Sequence, residues 1–168
     1  KKKSPIEIIL IISNNVKAKG LNYSKIYKIK KKIYNYNKKK ISETKTLKDL
    51  KSNDIKLICL AGFMKILSED FIRNFEGKIL NIHPSLLPKY KGLKTHERVI
   101  KNKEKYSGCT VHLVNSKLDS GKIVLQKKVK LSKKETPLSL QKKVLKHEHI
   151  LYPEAIDKIF VNPWKKNQ

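Results

Sequence analysis

The sequence has few of the features that mark secreted or membrane proteins. Its 168 residues include two cysteines, Cys59 and Cys109, with neither a disulfide framework nor metal-ligand spacing. No apolar run reaches the length of a membrane span. The apolar stretch behind the N-terminal lysines contains Glu7 and lacks a small-residue cleavage site. We therefore expect a cytoplasmic protein with reduced, buried thiols and no membrane partner.

Arginine and carboxylates are also scarce. The formal net charge is +26, yet Arg73 and Arg98 are the only arginines, and lysines spread over nearly every segment. Proteins that read base edges favour the bidentate guanidinium of arginine. This distribution favours a compositional bias over a recognition surface, so we expect no specific nucleic-acid partner. A lysine-rich module that binds polyanions remains an open alternative.

Several catalytic motifs are missing. The chain contains neither a Walker-type G-x-x-x-x-G-K, nor G-x-G-x-x-G, nor the nucleophile elbow G-x-S-x-G. The "HEH" at His147–His149 differs from the zinc motif H-E-x-x-H, because its two histidines are two residues apart. These absences disfavour nucleotide hydrolysis, a serine nucleophile and metal catalysis, and we expect no metal site.

Apolar runs alternate with amphipathic segments along most of the chain. The runs at 6–13, 55–63 and 78–82 predict buried strands, and "SGCTVHLVN" and "KIVLQKKVKL" predict a later hairpin-like pair. This alternation predicts an α/β fold with a largely parallel sheet.

Helix boundaries are marked by capping residues. Ser68, Thr95 and Thr136 are the expected N-caps of three helices. Pro137 suits the first helical position of the last helix, and Pro153 should kink or split that helix.

Polar residues follow the third predicted strand, in "LNIHPSLLPKYKG". Asn81 and His83 are two residues apart and therefore face the same side of the strand end, where α/β proteins bind ligands. An amide can stabilise an oxyanion, a histidine can move a proton, and a carboxylate such as Asp119 in "SKLDSG" can support both. Without a nucleophile elbow, this set suits direct acyl transfer between two bound substrates.

Four segments carry a family resemblance: "LAGFMKILS", "LNIHPSLLPKYKGLKTHERVI", "SGCTVHLVNSKLDSGKIVLQ" and "HEHILYP". They resemble the phosphoribosylglycinamide formyltransferases of purine synthesis, continuously from about Asp54 to Phe160. The resemblance implies a Rossmann-like formyltransferase fold, with a mostly parallel sheet flanked by helices, in one domain over 1–168. It also implies transfer of a formyl group from 10-formyltetrahydrofolate, the donor co-substrate, to the amine of glycinamide ribonucleotide.

The resemblance also assigns residues. The catalytic residues it implies are Asn81, His83 and Asp119, with Asn81 and protonated His83 binding the formyl oxygen as it becomes an oxyanion. The folate contacts it implies are Lys39, Met64, Lys65, Ile66, Leu67, Asn115, Ser116, Lys117, Leu118 and Asp119. The ribonucleotide contacts it implies are Asn81, Leu145, Lys146, His147 and Glu148.

The family pattern differs from this chain at both ends. Family members open with a strand and a glycine-serine-asparagine loop whose backbone amides bind the substrate phosphate. They also usually run further past the last helix. The first strand and phosphate loop are missing here, so we expect an incomplete domain that shows no measurable transfer by itself.

Other assignments stay open beside this one. Formyltetrahydrofolate deformylase and methionyl-tRNA formyltransferase share the Asn-x-His and Leu-Asp-x-Gly elements. The deformylase typically has a second histidine where this chain has Pro84, and "LKTHE" after Gly92 favours the ribonucleotide enzyme. A non-catalytic, lysine-rich remnant is a further alternative, and the protein is expected to be a monomer or a homodimer.

Overall fold

The computed structural model describes residues 6–160, which form two compact units. The first unit comprises the chain up to Lys56 together with Leu67–Gly77, and the second comprises Leu57–Ile66 and the chain from Lys78 onward. Within residues 6–160, no helix is both long and apolar enough to cross a membrane. The single-domain assignment remains a prediction.

The first unit contains a two-stranded parallel sheet and three helices. Strand β1 (Leu10–Ser13) pairs with β2 (Lys30–Ile33). A 3-10 turn (Lys19–Leu21) and α1 (Asn22–Ile26) connect them. A second 3-10 turn (Tyr36–Lys38) leads into α2 (Lys39–Ser52), and α3 (Glu69–Asn74) completes the unit. The predicted strand at 6–13 is therefore confirmed only over its second half.

The start of α3 shows why this short helix forms. The side chain of Ser68 accepts a hydrogen bond from the Phe71 amide at 3.0 Å, which confirms the predicted N-cap. The same hydroxyl donates to the buried Glu43 of α2 at 2.6 Å, and Glu43 also accepts from the Ser68 amide. Phe71 is almost fully buried one turn later. Capping and burial together stabilise the six-residue helix.

The second unit contains a four-stranded mixed sheet in the order β3-β4-β5-β6. Its strands are β3 (Leu57–Leu60), β4 (Lys78–His83), β5 (Tyr106–Leu113) and β6 (Ile123–Lys130). β3 and β4 are parallel, whereas β4–β5 and β5–β6 are antiparallel. The α/β class and the β5–β6 hairpin are confirmed, but "mostly parallel" is wrong for these four strands. The connection through α4 brings the chain into β5 antiparallel to β4, and the hairpin turn then reverses it again into β6.

Two helices accompany this sheet, α4 (Thr95–Lys101) and α5 (Pro137–Phe160). The core lies between the sheet and α5, where Leu80, Val111, Leu140 and Val144 are fully buried. Tyr152 of α5 also donates its hydroxyl to the carbonyls of two neighbouring strands, Leu60 at 2.8 Å and Leu80 at 3.0 Å. Apolar burial and this buried hydrogen bond fix α5 against β3 and β4.

The helices test three further predictions, two about N-caps and one about Pro153. Thr136 accepts from the Ser139 amide at 3.1 Å, as an N-cap should. Pro153 lies inside a continuous α5, so it does not split the helix. Thr95 is wrong as an N-cap: Lys94 holds that position with a left-handed φ of 54°, and the Thr95 hydroxyl donates to the Gly92 carbonyl instead.

Only one of the two cysteines is buried. Cys109, in the interior of β5, is fully buried, as expected. Cys59 is exposed, so the expectation of two buried thiols is wrong. The reason is that β3 lies at the edge of the four-stranded sheet, where, in the described part of the chain, it pairs with β4 alone.

One added methyl group in the turn between β5 and β6 should have a large effect on stability. A Cβ at Gly121 would lie 1.6 Å from the Leu113 carbonyl oxygen, whereas a Cβ at Gly20 would meet nothing within 4 Å. We expect Gly121→Ala to lower the free energy of unfolding by about 1–3 kcal/mol, because backbone must move. Gly20→Ala is the matched control and should change it little. Urea unfolding would measure both, and equal midpoints would contradict the prediction.

Candidate active site

The carboxyl end of β4 places two polar side chains on one face of the sheet. Asn81 lies opposite His112 of β5, and His83 lies opposite Thr110. His83 is 6% exposed, because the loop that follows β4 covers it. The loop between β5 and β6 then brings Asp119 to the same place, with a left-handed φ of 45° that aspartate tolerates better than most residues.

His83 and Asp119 form a buried ion pair when the histidine is protonated. His83 Nδ1 lies 3.2 Å from Asp119 Oδ2, and the carboxylate is 8% exposed. The amide of Gly92 donates to the same Oδ2 at 2.8 Å. The structure therefore brings together two of the three predicted catalytic residues directly.

Asn81 reaches this pair through a residue that the sequence reasoning missed, His112. Asn81 Nδ2 lies 3.3 Å from His112 Nε2, and the same Nε2 lies 3.6 Å from Asp119 Oδ1. His112 Nδ1 lies 2.9 Å from the Leu113 carbonyl. The available signal was a histidine in the otherwise apolar stretch "TVHLV", on the strand that pairs with β4. His112 links Asn81 to the carboxylate.

Burial and neighbouring groups set the ionisation of the pair. Burial alone would raise the pKa of Asp119, but His112, the Gly92 amide and His83 hold it below its ordinary value. Asp119 is therefore a carboxylate at neutral pH. Burial lowers the pKa of His83, and the Tyr90 carbonyl and Asp119 oppose this effect only in part.

Both ring nitrogens of His83 face acceptors. Nε2 lies 2.8 Å from the Tyr90 carbonyl oxygen, and Nδ1 faces Asp119. A neutral imidazole has one N–H and can donate to one of them, whereas an imidazolium can donate to both. The contacts of His83 thus suit a ring that gains a proton when negative charge develops nearby.

A further histidine lies near His83. His96, on α4, has a buried Nδ1 atom for which residues 6–160 provide no hydrogen-bond partner. Burial lowers the pKa of His96, and the proximity of His83 lowers it further. Two neighbouring imidazoles disfavour simultaneous protonation, so His96 is best described as neutral when His83 is charged.

The residues predicted to bind folate lie in two loops and one helix. Met64, Lys65 and Ile66 are exposed, but Leu67 is buried within the first unit. Lys39 is the exposed first residue of α2.

In the β5–β6 loop, Asn115–Leu118 are exposed and Asp119 is buried. The side chain of Asn115 accepts from the Lys117 amide at 3.0 Å, which closes a turn in front of Asp119. Leu118 is half exposed at 50%.

The residues predicted to bind the ribonucleotide lie on α5. Leu145 and Lys146 are exposed, whereas His147 and Glu148 are half-buried. Burial raises the pKa of Glu148. Among residues 6–160, no hydrogen bond or ion pair joins this segment to Asn81, His83 or Asp119. The structure also contains, in the same range, no group of three His, Cys, Asp or Glu side chains that could hold a metal ion.

The arrangement provides donors and charge without a nucleophile. The amide nitrogen of Asn81 carries two hydrogens, and the contact with His112 uses one of them at most. The other can bind an oxygen on which negative charge develops, and the His83–Asp119 pair can supply a compensating positive charge. Such a set suits acyl transfer between two bound molecules.

Comparison with known proteins connects this geometry to one family. The family model described as "Formyl transferase" matches residues 1–156. Phosphoribosylglycinamide formyltransferase of Haemophilus influenzae is 40% identical over 157 residues, which cover 90% of this chain and 73% of the relative. The trifunctional purine biosynthetic protein adenosine-3 of Gallus gallus is 37% identical, and the chain spans 15% of that protein's length.

Solved structures agree with the sequence relatives. Phosphoribosylglycinamide formyltransferase from Bacillus halodurans superposes with a TM-score of 0.89 at 31% identity, covering 98% of this chain and 87% of that one. The enzyme from Coxiella burnetii gives a TM-score of 0.87 at 38% identity, covering 94% and 75%. These likenesses confirm the Rossmann-like formyltransferase fold. The chain belongs to the formyl transferase family.

Proposed function

We propose that this protein transfers a formyl group from 10-formyltetrahydrofolate to the amine of glycinamide ribonucleotide in purine biosynthesis. The observation that carries the proposal is the buried His83–Asp119 pair beside Asn81 at the end of β4. Relatives named for this reaction support the choice of substrates. The absence of G-x-S-x-G from the sequence supports direct transfer between the two bound substrates.

In this proposal the attacking amine must be neutral and held against the formyl carbon. As the tetrahedral intermediate forms, the free N–H of Asn81 donates to the formyl oxygen. Protonated His83 stabilises the same charge, and Asp119 keeps the imidazolium charged and orders a water. That water carries the proton from the attacking amine to the folate nitrogen as the bond between this nitrogen and the formyl carbon breaks, so that tetrahydrofolate leaves. Because no bond to the protein forms, proximity supplies a large part of the rate.

The contacts of His83 refine this mechanism. Its two nitrogens already face Tyr90 and Asp119, so a direct bond from His83 to the formyl oxygen would require one of these contacts to break. Stabilisation by charge alone needs no such exchange. Asn81 therefore serves as the direct hydrogen-bond donor, and His83 acts through its charge.

Exposed apolar side chains support the proposed folate site. Met64, Ile66 and Leu118 are each at least half exposed, and a flat pterin ring would cover such surface favourably. Lys65, Leu67, Lys39 and Asn115–Asp119 complete the proposed set, with Leu67 acting through its backbone or its packing because its side chain is buried.

The proposed ribonucleotide site lies on α5, from Leu145 to Glu148. Glu148 is the polar group that could orient the substrate amine, and Lys146 is exposed. We further propose that the partners are these small molecules alone, without a metal or a specific nucleic acid. We also propose that the protein is cytoplasmic and is a monomer or a homodimer.

Substitution of the buried pair tests the proposed chemistry. In the protein expressed from its complete reading frame, His83→Ala and Asp119→Asn should each lower kcat about 100-fold or more. Folate affinity should change much less than kcat, because the lost stabilisation belongs mostly to the transition state and because the pterin would be held mainly by the loop from Met64 to Leu67 and by backbone around Leu118. Steady-state kinetics and folate titration measure both quantities. Tyr106→Phe, on the half-exposed start of β5, is the control. Wild-type kcat in both site variants would exclude the proposed roles.

The high net charge predicts weak binding of duplex DNA. If the lysines reflect compositional bias, affinity should be independent of DNA sequence. It should fall steeply between about 50 and 200 mM salt, because binding then depends on counterion release. Fluorescence anisotropy with two unrelated duplexes of equal length measures both properties. Tight binding of one duplex over the other at physiological salt would instead support the lysine-rich binding module.

A further inference from the structure

The loop between β4 and α4 adopts an unusual backbone. Tyr90, Gly92 and Lys94 all have positive φ values, of 59°, 76° and 54°. Glycine accepts this conformation freely, but for tyrosine it costs on the order of 1 kcal/mol or more. Tyr90 therefore keeps this conformation because other contacts hold it.

Three side chains hold Tyr90. Its hydroxyl donates to Glu104 Oε1 at 2.8 Å and accepts from Asn102 Nδ2 at 3.0 Å. The guanidinium of Arg98 lies over the ring, 5.4 Å from its centroid. Hydrogen bonds from Tyr90 and Lys89 lower the pKa of Glu104, which makes it a charged and strong acceptor.

Arg98 also fixes the backbone beyond Tyr90. Its guanidinium donates to the Lys91 carbonyl at 2.6 Å and to the Leu93 carbonyl at 3.3 Å. Both the side chain of Tyr90 and the chain that follows it are thus tied to the same arginine of α4. These contacts define the direction of the Tyr90 carbonyl, which points at His83 Nε2 at 2.8 Å.

We propose that Tyr90 is a positioning residue for His83. Its carbonyl, held in place by the contacts with Glu104, Asn102 and Arg98, fixes the imidazole ring and favours the protonated ring in the transition state. The proposal rests on the proposed function, because it assigns Tyr90 a part in formyl transfer. Tyr90 acts only through His83.

The groups around His83 explain why a second acceptor matters. Asp119 favours the imidazolium, whereas the charges of His112 and Arg98 disfavour it. Burial disfavours it as well. His83 in turn lowers the pKa of the neighbouring His96. The Tyr90 carbonyl is the partner besides Asp119 that favours the charged ring, and it also prevents rotation about the His83 side-chain bonds.

Two substitutions should release the carbonyl by different routes. Tyr90→Gly removes the clamped side chain while fitting the positive φ without strain, so the fold should be retained. Glu104→Ala removes the acceptor of the Tyr90 hydroxyl. Glu104→Gln keeps an acceptor at that position and should therefore keep the Tyr90 hydroxyl bound as in the wild type. Lys89→Gln removes only the exposed ion pair with Glu104 and is the matched control.

The first readout does not depend on activity. Nitrogen-15 NMR of the His83 ring, in wild-type protein and variants, reports which nitrogen carries the proton and where the ring titrates. In Tyr90→Gly and Glu104→Ala the titration should move to lower pH, because one partner of the charged ring is lost. Glu104→Gln and Lys89→Gln should titrate like the wild type.

The second readout is kinetic. In the protein expressed from its complete reading frame, the two releasing variants should lose about tenfold in kcat, with KM little changed. The kcat–pH profile should lose its basic side at lower pH, since protonated His83 disappears earlier as pH rises. Circular dichroism and urea unfolding establish that each variant is folded.

The outcomes separate the two proposals. An unchanged His83 titration in both folded releasing variants would overturn the role of Tyr90, whatever the activity. If one of them fails to fold, the other decides. A different result is a shifted His83 titration in a wild-type protein that transfers no formyl group. The proposed function then fails, and the role of Tyr90 in catalysis fails with it. Only the contact between the Tyr90 carbonyl and the His83 ring would stand. An equal loss of kcat in Lys89→Gln would also overturn the role of Tyr90.

Discussion

The buried contact between His83 and Asp119 is the interaction on which the rest of the candidate site depends. Each group alone would be costly to charge, because both are less than a tenth exposed. Together they can hold opposite charges, and three neighbouring groups contact them. The Gly92 amide donates to one carboxylate oxygen, His112 approaches the other, and the Tyr90 carbonyl faces the second nitrogen of the ring. The pair thus has contacts in both the β4–α4 loop and the β5–β6 loop.

The many lysines of the chain contribute little to this charge balance. The chain carries a net charge of +26, yet among residues 6–160 the ion-pair partners of Asp119 are two histidines and no lysine. The lysines that form ion pairs in this range do so with other carboxylates, for example the exposed Lys56 with the exposed Asp54. Exposed pairs contribute little to stability and are screened by salt. The local chemistry of the site is thus separated from the global charge by burial.

Sequence reasoning predicted the elements better than their pairing. The apolar runs located β3, β4, β5 and β6, and the capping signal of Ser68 located α3, because these depend on local pattern. The resemblance placed Asn81, His83 and Asp119, and the structure brings the last two into contact. His112 and Tyr90 were not found in this way. His112 acts through a cross-strand register, and Tyr90 acts through its backbone carbonyl, which any residue possesses. Thr95 and Cys59 were misjudged because the left-handed Lys94 and the edge position of β3 are properties of the assembled chain.

The two histidines beside Asp119 differ in what their nitrogens face, and this difference decides which hydrogen bonds each ring can make. The Leu113 carbonyl can only accept, so Nδ1 of His112 carries the hydrogen. Its Nε2 then accepts from the Asn81 amide when unprotonated, and that contact would be lost if Nε2 gained a proton. His83 instead faces acceptors on both sides. One carboxylate can balance one imidazolium, and the two acceptors around His83 suit that charge, while the tautomer of His112 with its hydrogen on Nδ1 keeps the amide of Asn81 turned with its free N–H available. One arrangement of hydrogens in the site therefore makes Asn81 the direct donor and leaves His83 able to carry the positive charge.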